Sequence, residues 1–238
     1  MVINRSTIRL VPLTIAFLIF TTMSASAEQT AKVTFLKGRA KYRLTEKAPW
    51  HPLQKSTPVR AGHTIRTDSK GYVELTLPDD SILRLAPDTL FHIDTSLFPE
   101  NKSRRFSARL LLGKLWARVT RAVGMPGGSF RTATTTAVAG VRGTTYDLRT
   151  AETRGTDIWV YEGKVAVGPV AFEQGGPKKE IAWPQEVTEQ QWEEIILGKL
   201  QKLHVGTDGK PGKPTVFEPD KEEDEWTVWN LQRDLANR

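Results

Sequence analysis

The chain has 238 residues, a formal net charge of +7 and no cysteine. The absence of cysteine excludes a disulfide framework, a cysteine nucleophile and a lipid-attachment cysteine, so an exported form must be stable through its core alone. The length allows one sizeable domain, or one domain with a smaller appendage.

The first 27 residues predict a cleaved secretory signal peptide. Arg5 and Arg9 form a basic start, residues 10–20 are an apolar run, and Ala25-Ser26-Ala27 is an A-x-A cleavage site. The run is well short of the roughly 20 residues that a membrane-spanning helix needs, which favours a signal peptide over an uncleaved anchor. We therefore expect a periplasmic mature chain that begins at Glu28 and has no spanning helix.

Residues 28–171 predict an all-β domain of short strands, built as an irregular sandwich or a solenoid-like roll. Apolar and polar residues alternate with period two, as in Val73, Leu75 and Leu77, or in Leu115, Ala117 and Val119. Residues 78–81 (PDDS) separate two such runs and predict a hairpin turn.

The composition changes after residue 171. Residues 172–187 are rich in Gly, Pro and Lys and predict a linker, and residues 188–238 predict a small α-helical extension. Thr188 and Gln191 form a capping box before an apolar stripe at helical spacing, made of Trp192, Ile195, Ile196, Leu200 and Leu203. A second helix is expected over 222–235, with Trp226, Trp229 and Leu235.

These two helices are too short to be stable alone in water, so they need a surface to pack against. That surface is either the β domain of the same chain or a partner. Residues 218–225 are acidic and residues 100–122 are basic, with Lys114 and Arg118 among seven basic side chains. This complementarity favours a tail that folds back as a lid on the β domain.

The basic stretch also bears on external partners. In an exported protein it favours an acidic protein, a cell-wall polymer, anionic lipid or the chain's own acidic tail over nucleic acid. Peripheral contact with a membrane surface stays open.

Motifs for catalysis, metals and cofactors are not found in the sequence. The four histidines are scattered without metal-ligand spacing, and there is no G-x-S-x-G motif. Asp79 and Asp80 are adjacent in the predicted turn, where side chains tend to diverge. We therefore predict a protein that is not an enzyme and that uses no cofactor and no metal.

The glycines of residues 136–148 (TAVAGVRGTTYDL) could either cradle an anion or let backbones pack closely. Gly140, Arg142, Gly143 and Thr144 lack the spacing and the lysine of a phosphate loop. We interpret them as a structural motif in which Gly143 forms a bulge or left-handed turn and Arg142 caps carbonyls or pairs with a carboxylate such as Asp147.

Trp116 is the strongest candidate for a partner-binding residue. If Leu115 and Ala117 face the core, then Lys114, Trp116 and Arg118 point outward, and an indole flanked by cations is a suitable binding anchor. The alternative is that another strand or the C-terminal helices cover Trp116, since large apolar patches are rarely left open.

Several short segments, in the same order along the chain, resemble the FecR domain found in periplasmic regulators of iron-citrate type. The resemblance covers roughly residues 33–168 and rests on residues 62–67 (GHTIRT), 71–75 (GYVEL), 77–81 (LPDDS), 112–115 (LGKL), 130–132 (FRT), 137–144 (AVAGVRGT) and 161–165 (YEGKV). Two positions depart from the family pattern, His63 for the usual Asp and Asp80 for the usual Gly.

The resemblance implies an all-β module that senses or binds a ligand or a protein. Only nine residues precede the apolar run, so we do not expect the cytoplasmic sigma-factor-binding segment of the best-known members. We expect an exported, non-enzymatic module that engages another envelope protein. The alternative is a structural envelope protein attached to peptidoglycan or an anionic surface polymer through residues 100–122.

Overall fold

A computed structural model describes residues 30–99, 103–120, 128–170, 194–221 and 224–236. The predicted signal peptide, the linker over 172–187, and the capping residues Thr188 and Gln191 lie outside these ranges. The described residues form 17 strands, one 3₁₀ turn (Pro219–Lys221) and one α-helix, α1 (Glu225–Ala236).

The strands are short, and most are joined by tight turns. Their bounds are β1 Ala31–Lys37, β2 Ala40–Arg43, β3 His51–Pro52, β4 Pro58–Val59, β5 Thr64–Thr67, β6 Tyr72–Thr76, β7 Ile82–Leu85, β8 Leu90–Leu97, β9 Arg105–Arg118, β10 Ser129–Ala133, β11 Ala137–Val141, β12 Thr145–Ala151, β13 Gly155–Glu162, β14 Val165–Pro169, β15 Ile195–Leu197, β16 Gln201–Val205 and β17 Thr215–Val216. The all-β prediction is confirmed.

The strands form two sheets that share one hydrophobic core. Sheet A has the order β4-β1-β6-β7-β9-β12-β13-β16-β17. Sheet B has the order β3-β2-β5-β8-β9-β10-β11-β14-β15, and its β9–β10 pair is parallel. The inner faces of both sheets supply the buried apolar residues of a single cluster, so the fold is a sandwich.

Strand β9 belongs to both sheets, and Gly113 is where it changes from one to the other. The first part of β9 pairs with β8 and β10 in sheet B, and the part after Gly113 pairs with β7 and β12 in sheet A. Gly113 has a φ of 97°, and an added Cβ would lie 2.3 Å from Thr89 Oγ1. Only glycine fits this bend, which places Lys114, Trp116 and Arg118 on the outer face of sheet A.

The predicted hairpin at residues 78–81 is confirmed, because β6 and β7 pair antiparallel across it. Asp80 takes a φ of 61°, a conformation that Asp tolerates better than most residues. The substitution of Asp for the usual Gly is therefore compatible with the turn. His63 is buried, with its ring 5.6 Å from that of Tyr42.

The helix expected after Thr188 is wrong where the structure describes it. Residues 195–197 and 201–205 are strands β15 and β16, which pair with β14 in sheet B and with β13 in sheet A. Leu203 and Val205 are buried in alternation with exposed His204, and Leu200 lies in a turn with a φ of 61°. The apparent helical stripe is two half-buried strands separated by a turn. The second predicted helix is α1.

Candidate functional site

The outer face of sheet A carries an unusual row of polar and aromatic side chains. Residues that alternate with the core positions of β6, β7, β9 and β12 place Glu74, Arg84, Trp116 and Asp147 on this face, and all four are buried. Helix α1 covers them. We call this surface the helix-binding face. Its members are Glu74, Arg84, Lys114, Trp116, Arg118, Asp147 and Arg149.

Helix α1 contacts the face with one stripe of its surface. Trp226, Asn230 and Asp234 are spaced four residues apart, so they lie on the same side of the helix, and all three are buried. Leu235, which the sequence analysis named among the apolar residues of this helix, is 68% exposed. The contact stripe therefore combines a buried indole with buried polar and charged side chains.

Asp234 holds the C-terminal end of α1 on the face. Its carboxylate lies 2.8 Å from Arg84 Nη2 and accepts a 3.0 Å hydrogen bond from Trp116 Nε1. Arg118 Nη1 is 3.8 Å away. The side chain of Arg84 is fully buried and also donates to Glu74 Oε2 at 2.8 Å, so one guanidinium joins two carboxylates.

Asp224 holds the N-terminal end. It accepts hydrogen bonds from the backbone N–H and the hydroxyl of Thr227, both at 2.9 Å, which makes it the N-cap of α1. The same carboxylate contacts Lys114 Nζ at 2.7 Å and Arg149 Nη1 at 2.8 Å. The hydrogen bonds from Lys114 and Thr227, together with the charges of Arg149 and Lys114, outweigh partial burial and hold the pKa of Asp224 well below its ordinary value.

Between the two ends, the contact combines an indole hydrogen bond with stacked rings. Trp226 Nε1 donates to Asp147 Oδ1 at 3.2 Å, and the Trp226 ring stacks on Trp229 at 5.6 Å. Asp147 is buried, and burial raises its pKa although Arg149 Nη2 lies 2.6 Å from its carboxylate. Arg149 therefore takes the role that the sequence analysis gave to Arg142.

Glu74 forms a further contact between the helix and the sheet. Arg233 Nε donates to Glu74 Oε2 and Arg233 Nη2 to Glu74 Oε1, both at 3.1 Å. Burial acts to raise the pKa of Glu74, but the hydrogen bonds and charges of Arg233 and Arg84 outweigh it, and the pKa is lowered.

The prediction of an exposed partner-binding anchor at Trp116 is corrected. Trp116 does point outward from sheet A between Lys114 and Arg118, but α1 and Tyr161 cover it, and its side chain has no exposed surface. Lys114 and Arg118 contact Asp224 and Asp234 of the same chain. The structure therefore shows the alternative arrangement, in which a C-terminal helix covers Trp116.

The sequence analysis missed Glu74, Arg84 and Asp234, and it named Asp147 only as a possible ion-pair partner of Arg142. The available signal was a charged residue at the outward position of β6, β7 and β12, with Trp116 of β9 between them, together with Asn230 and Asp234 at helical spacing from Trp226. Outward charges are ordinarily solvated, so this pattern indicates a covered face only when the pairing of the strands is known.

The glycine-containing motif at residues 140–144 joins β11 of sheet B to β12 of sheet A. Gly143 has a φ of 67° and begins the turn into β12, as predicted. Its carbonyl oxygen would lie 2.6 Å from a Cβ added at Gly163, so the two turns pack closely. The hydroxyl of Thr144 donates to the carbonyl of Lys164 at 2.8 Å, which ties the turns together. Gly143 therefore takes the left-handed conformation that the motif predicts, and the close approach of the two turns falls at Gly163.

Among the described residues, no group of three or more His, Cys, Asp or Glu side chains is placed to hold a metal ion. Within the same ranges, none of the helical structure has the length and hydropathy that a membrane span requires.

Fold and site together define a two-sheet β protein with a helix-binding face that its own C-terminal helix occupies. Residues 63–166 match the model of the FecR protein family. This match confirms, over that range, the resemblance seen in the sequence. The anchors Glu74, Arg84, Trp116 and Asp147 all fall within it.

Two crystal structures, at 1.65 and 2.50 Å resolution, of a "putative anti-sigma factor" from Parabacteroides distasonis ATCC 8503 are similar to this chain. Each has 15% sequence identity and a TM-score of 0.47, and the similarity covers 65% of this chain. The matched part spans 60% of the length of those chains. No curated protein matches the sequence.

Proposed function

We propose that this chain is an exported, non-enzymatic binding module of the periplasm that engages another envelope protein in signal transduction. The FecR domain supports a sensing or regulatory role in the cell envelope. The helix-binding face carries the proposal further, because buried charged contacts hold α1 there in addition to the aromatic cluster around Trp116 and Trp226.

Buried charged contacts add little stability to a helix that is permanently attached. A buried ion pair gains little over a well-packed apolar contact, because removing two charges from water costs nearly as much as their attraction returns. Its geometry does discriminate strongly between partners, because a mismatched partner leaves buried polar groups unpaired. The face is therefore suited to recognising one kind of helix.

Helix α1 shows what kind of helix the face accepts. The face presents four basic residues and two acidic ones, Arg84, Lys114, Arg118, Arg149, Glu74 and Asp147. Residues 224–236 have three acidic residues and one basic residue. In this proposal the partner presents an acidic helix with a buried tryptophan, and it takes the place of α1 when α1 leaves the face.

The test is affinity capture by the mature chain from a periplasmic extract, followed by elution with a synthetic peptide of residues 218–236. The proposal predicts that the peptide releases the captured protein, and that Asp234→Ala in the bait increases capture because the face is more often vacant. The control peptide carries Trp226→Ala and Asp234→Ala and should release nothing. A captured protein that the control peptide elutes equally well would contradict the proposal.

Attachment to peptidoglycan or another anionic polymer through residues 100–122 is less well supported. Four basic residues of this stretch already form ion pairs within the chain, Arg104 with Asp79, Arg109 with Asp94, Lys114 with Asp224 and Arg118 with Asp234. A polymer would have to break these pairs. Its binding would fall steeply between 50 and 500 mM salt, in contrast to capture through a largely desolvated protein interface.

A further inference from the structure

Gly140 has no evident structural reason to be glycine. Unlike Gly143, it has an ordinary strand conformation in the middle of β11. A Cβ added there would meet only the carbonyl oxygen of Ala166, at a comfortable 3.8 Å. Glycine in a strand interior weakens the strand, and it frequently marks a place where a ligand or another backbone approaches closely.

The surroundings of Gly140 form a shallow trough on the outer face of sheet B. The strand register places Arg131, Gly140, Ala166 and Ile196 in one row across β10, β11, β14 and β15. The trough has a volume of about 780 Å³. Small side chains form its floor, and Ile196, which is 54% exposed, borders it.

The rim of the trough is mainly basic. Arg131, Arg142 and Lys164 line it together with one acidic residue, Glu162. Arg142, Lys164 and Glu162 are exposed. This side of the molecule is separate from the helix-binding face, because it belongs to the other sheet.

We propose that the trough binds an extended acidic segment of a protein partner. Four strands at a spacing of about 4.8 Å make the row about 14 Å long, which about four residues of extended chain span at 3.3 Å each. The backbone of the segment lies against Gly140 and Ala166, where no side chain keeps it away. Its carboxylates reach Lys164 and the arginines of the rim.

The test uses the full-length chain labelled with ¹⁵N and titrated with the hexapeptide acetyl-EVEVEV-amide, followed by NMR. The expected result is a set of shift changes confined to β10, β11, β14, β15 and the Gly163 turn. Shift changes elsewhere, none at millimolar peptide, or equal binding of the basic peptide acetyl-KVKVKV-amide would overturn the proposal.

Two variants sharpen this test. Gly140→Val fills the floor and should abolish binding, while its melting temperature should equal or exceed that of the wild type because valine favours strands. Lys164→Glu should weaken binding two- to fivefold, the scale of an exposed ion pair. Lys47→Glu, an exposed charge reversal near the opposite edge of sheet B, is the matched control and should change nothing. If Gly140→Val is folded and binds as the wild type does, the proposal is refuted.

Discussion

Replacing Asp234 by alanine tests how strongly the helix-binding face holds α1. The substitution removes a carboxylate that lies 2.8 Å from the fully buried Arg84 and 3.0 Å from Trp116 Nε1. Breaking a buried ion pair typically costs 3–5 kcal/mol. Glu74 remains as a partner for Arg84. Loss of the Arg118 contact, which is 3.8 Å long and partly exposed, adds at most a few tenths of a kcal/mol to the cost.

We therefore expect Asp234→Ala to weaken the docking of α1 by about 3 kcal/mol. The loss of docking free energy has an upper limit, because water hydrates Arg84 and Trp116 once α1 leaves the face. Asp234→Asn keeps an acceptor for the indole and should lose less, about 1–2 kcal/mol.

The assay is urea unfolding followed by tryptophan fluorescence and far-UV circular dichroism. A separate early transition, or a lower midpoint, is expected for Asp234→Ala. Leu235→Ala, next to Asp234 but exposed, is the matched control. A loss below 1 kcal/mol for Asp234→Ala, or an equal loss for Leu235→Ala, would refute the assignment of Asp234 as the C-terminal anchor.

Three further outcomes are expected. The pKa values of Glu74 and Asp224 are lowered in the folded chain, so their contribution is present above pH 4–5 and is lost as the pH falls through the folded-state values. The raised pKa of Asp147 acts in the opposite sense, since protonation relieves its burial. We expect the two lowered groups to dominate, so α1 should loosen between pH 5 and pH 3 by fluorescence; tightening would contradict this balance. Gly143→Val should lower stability by about 1–3 kcal/mol in chemical denaturation because valine rarely adopts a φ of 67°, and a midpoint within error of wild type would contradict this. Intact mass of the exported protein should show cleavage after Ala27, whereas a mass that includes residues 10–20 would restore the membrane anchor.

The sequence allowed the all-β fold to be predicted, as either a sandwich or a roll, because alternation along a strand is a local signal. Leu115 and Ala117 face the core as expected, and Gly143 takes the left-handed conformation that its motif indicated. The return of α1 to the β domain was favoured by charge complementarity, since a short helix with two tryptophans needs a surface to pack against and the β domain was one of two candidates.

What could not be predicted depends on pairing between distant segments. Residues 195–205 have apolar spacing that fits a helix, but they complete two sheets by pairing with β13 and β14. The expected source of docking energy was also incomplete. Surface ion pairs and buried indoles were anticipated, whereas the structure buries Arg84 between Glu74, 10 residues earlier in the chain, and Asp234, 150 residues later. No local sequence pattern connects residues so far apart.

The most direct test of the account is hydrogen exchange of the full-length chain, measured by mass spectrometry for α1 against β9 and β12. If α1 is a releasable occupant of the helix-binding face, its amides should exchange through a local opening, well before those of Leu115 and Leu148 in the core. Asp234→Ala should speed exchange in α1 and leave the two core strands unchanged. Exchange of α1 only together with global unfolding, in both wild type and variant, would show that the helix is a permanent part of the fold and would contradict the proposed function.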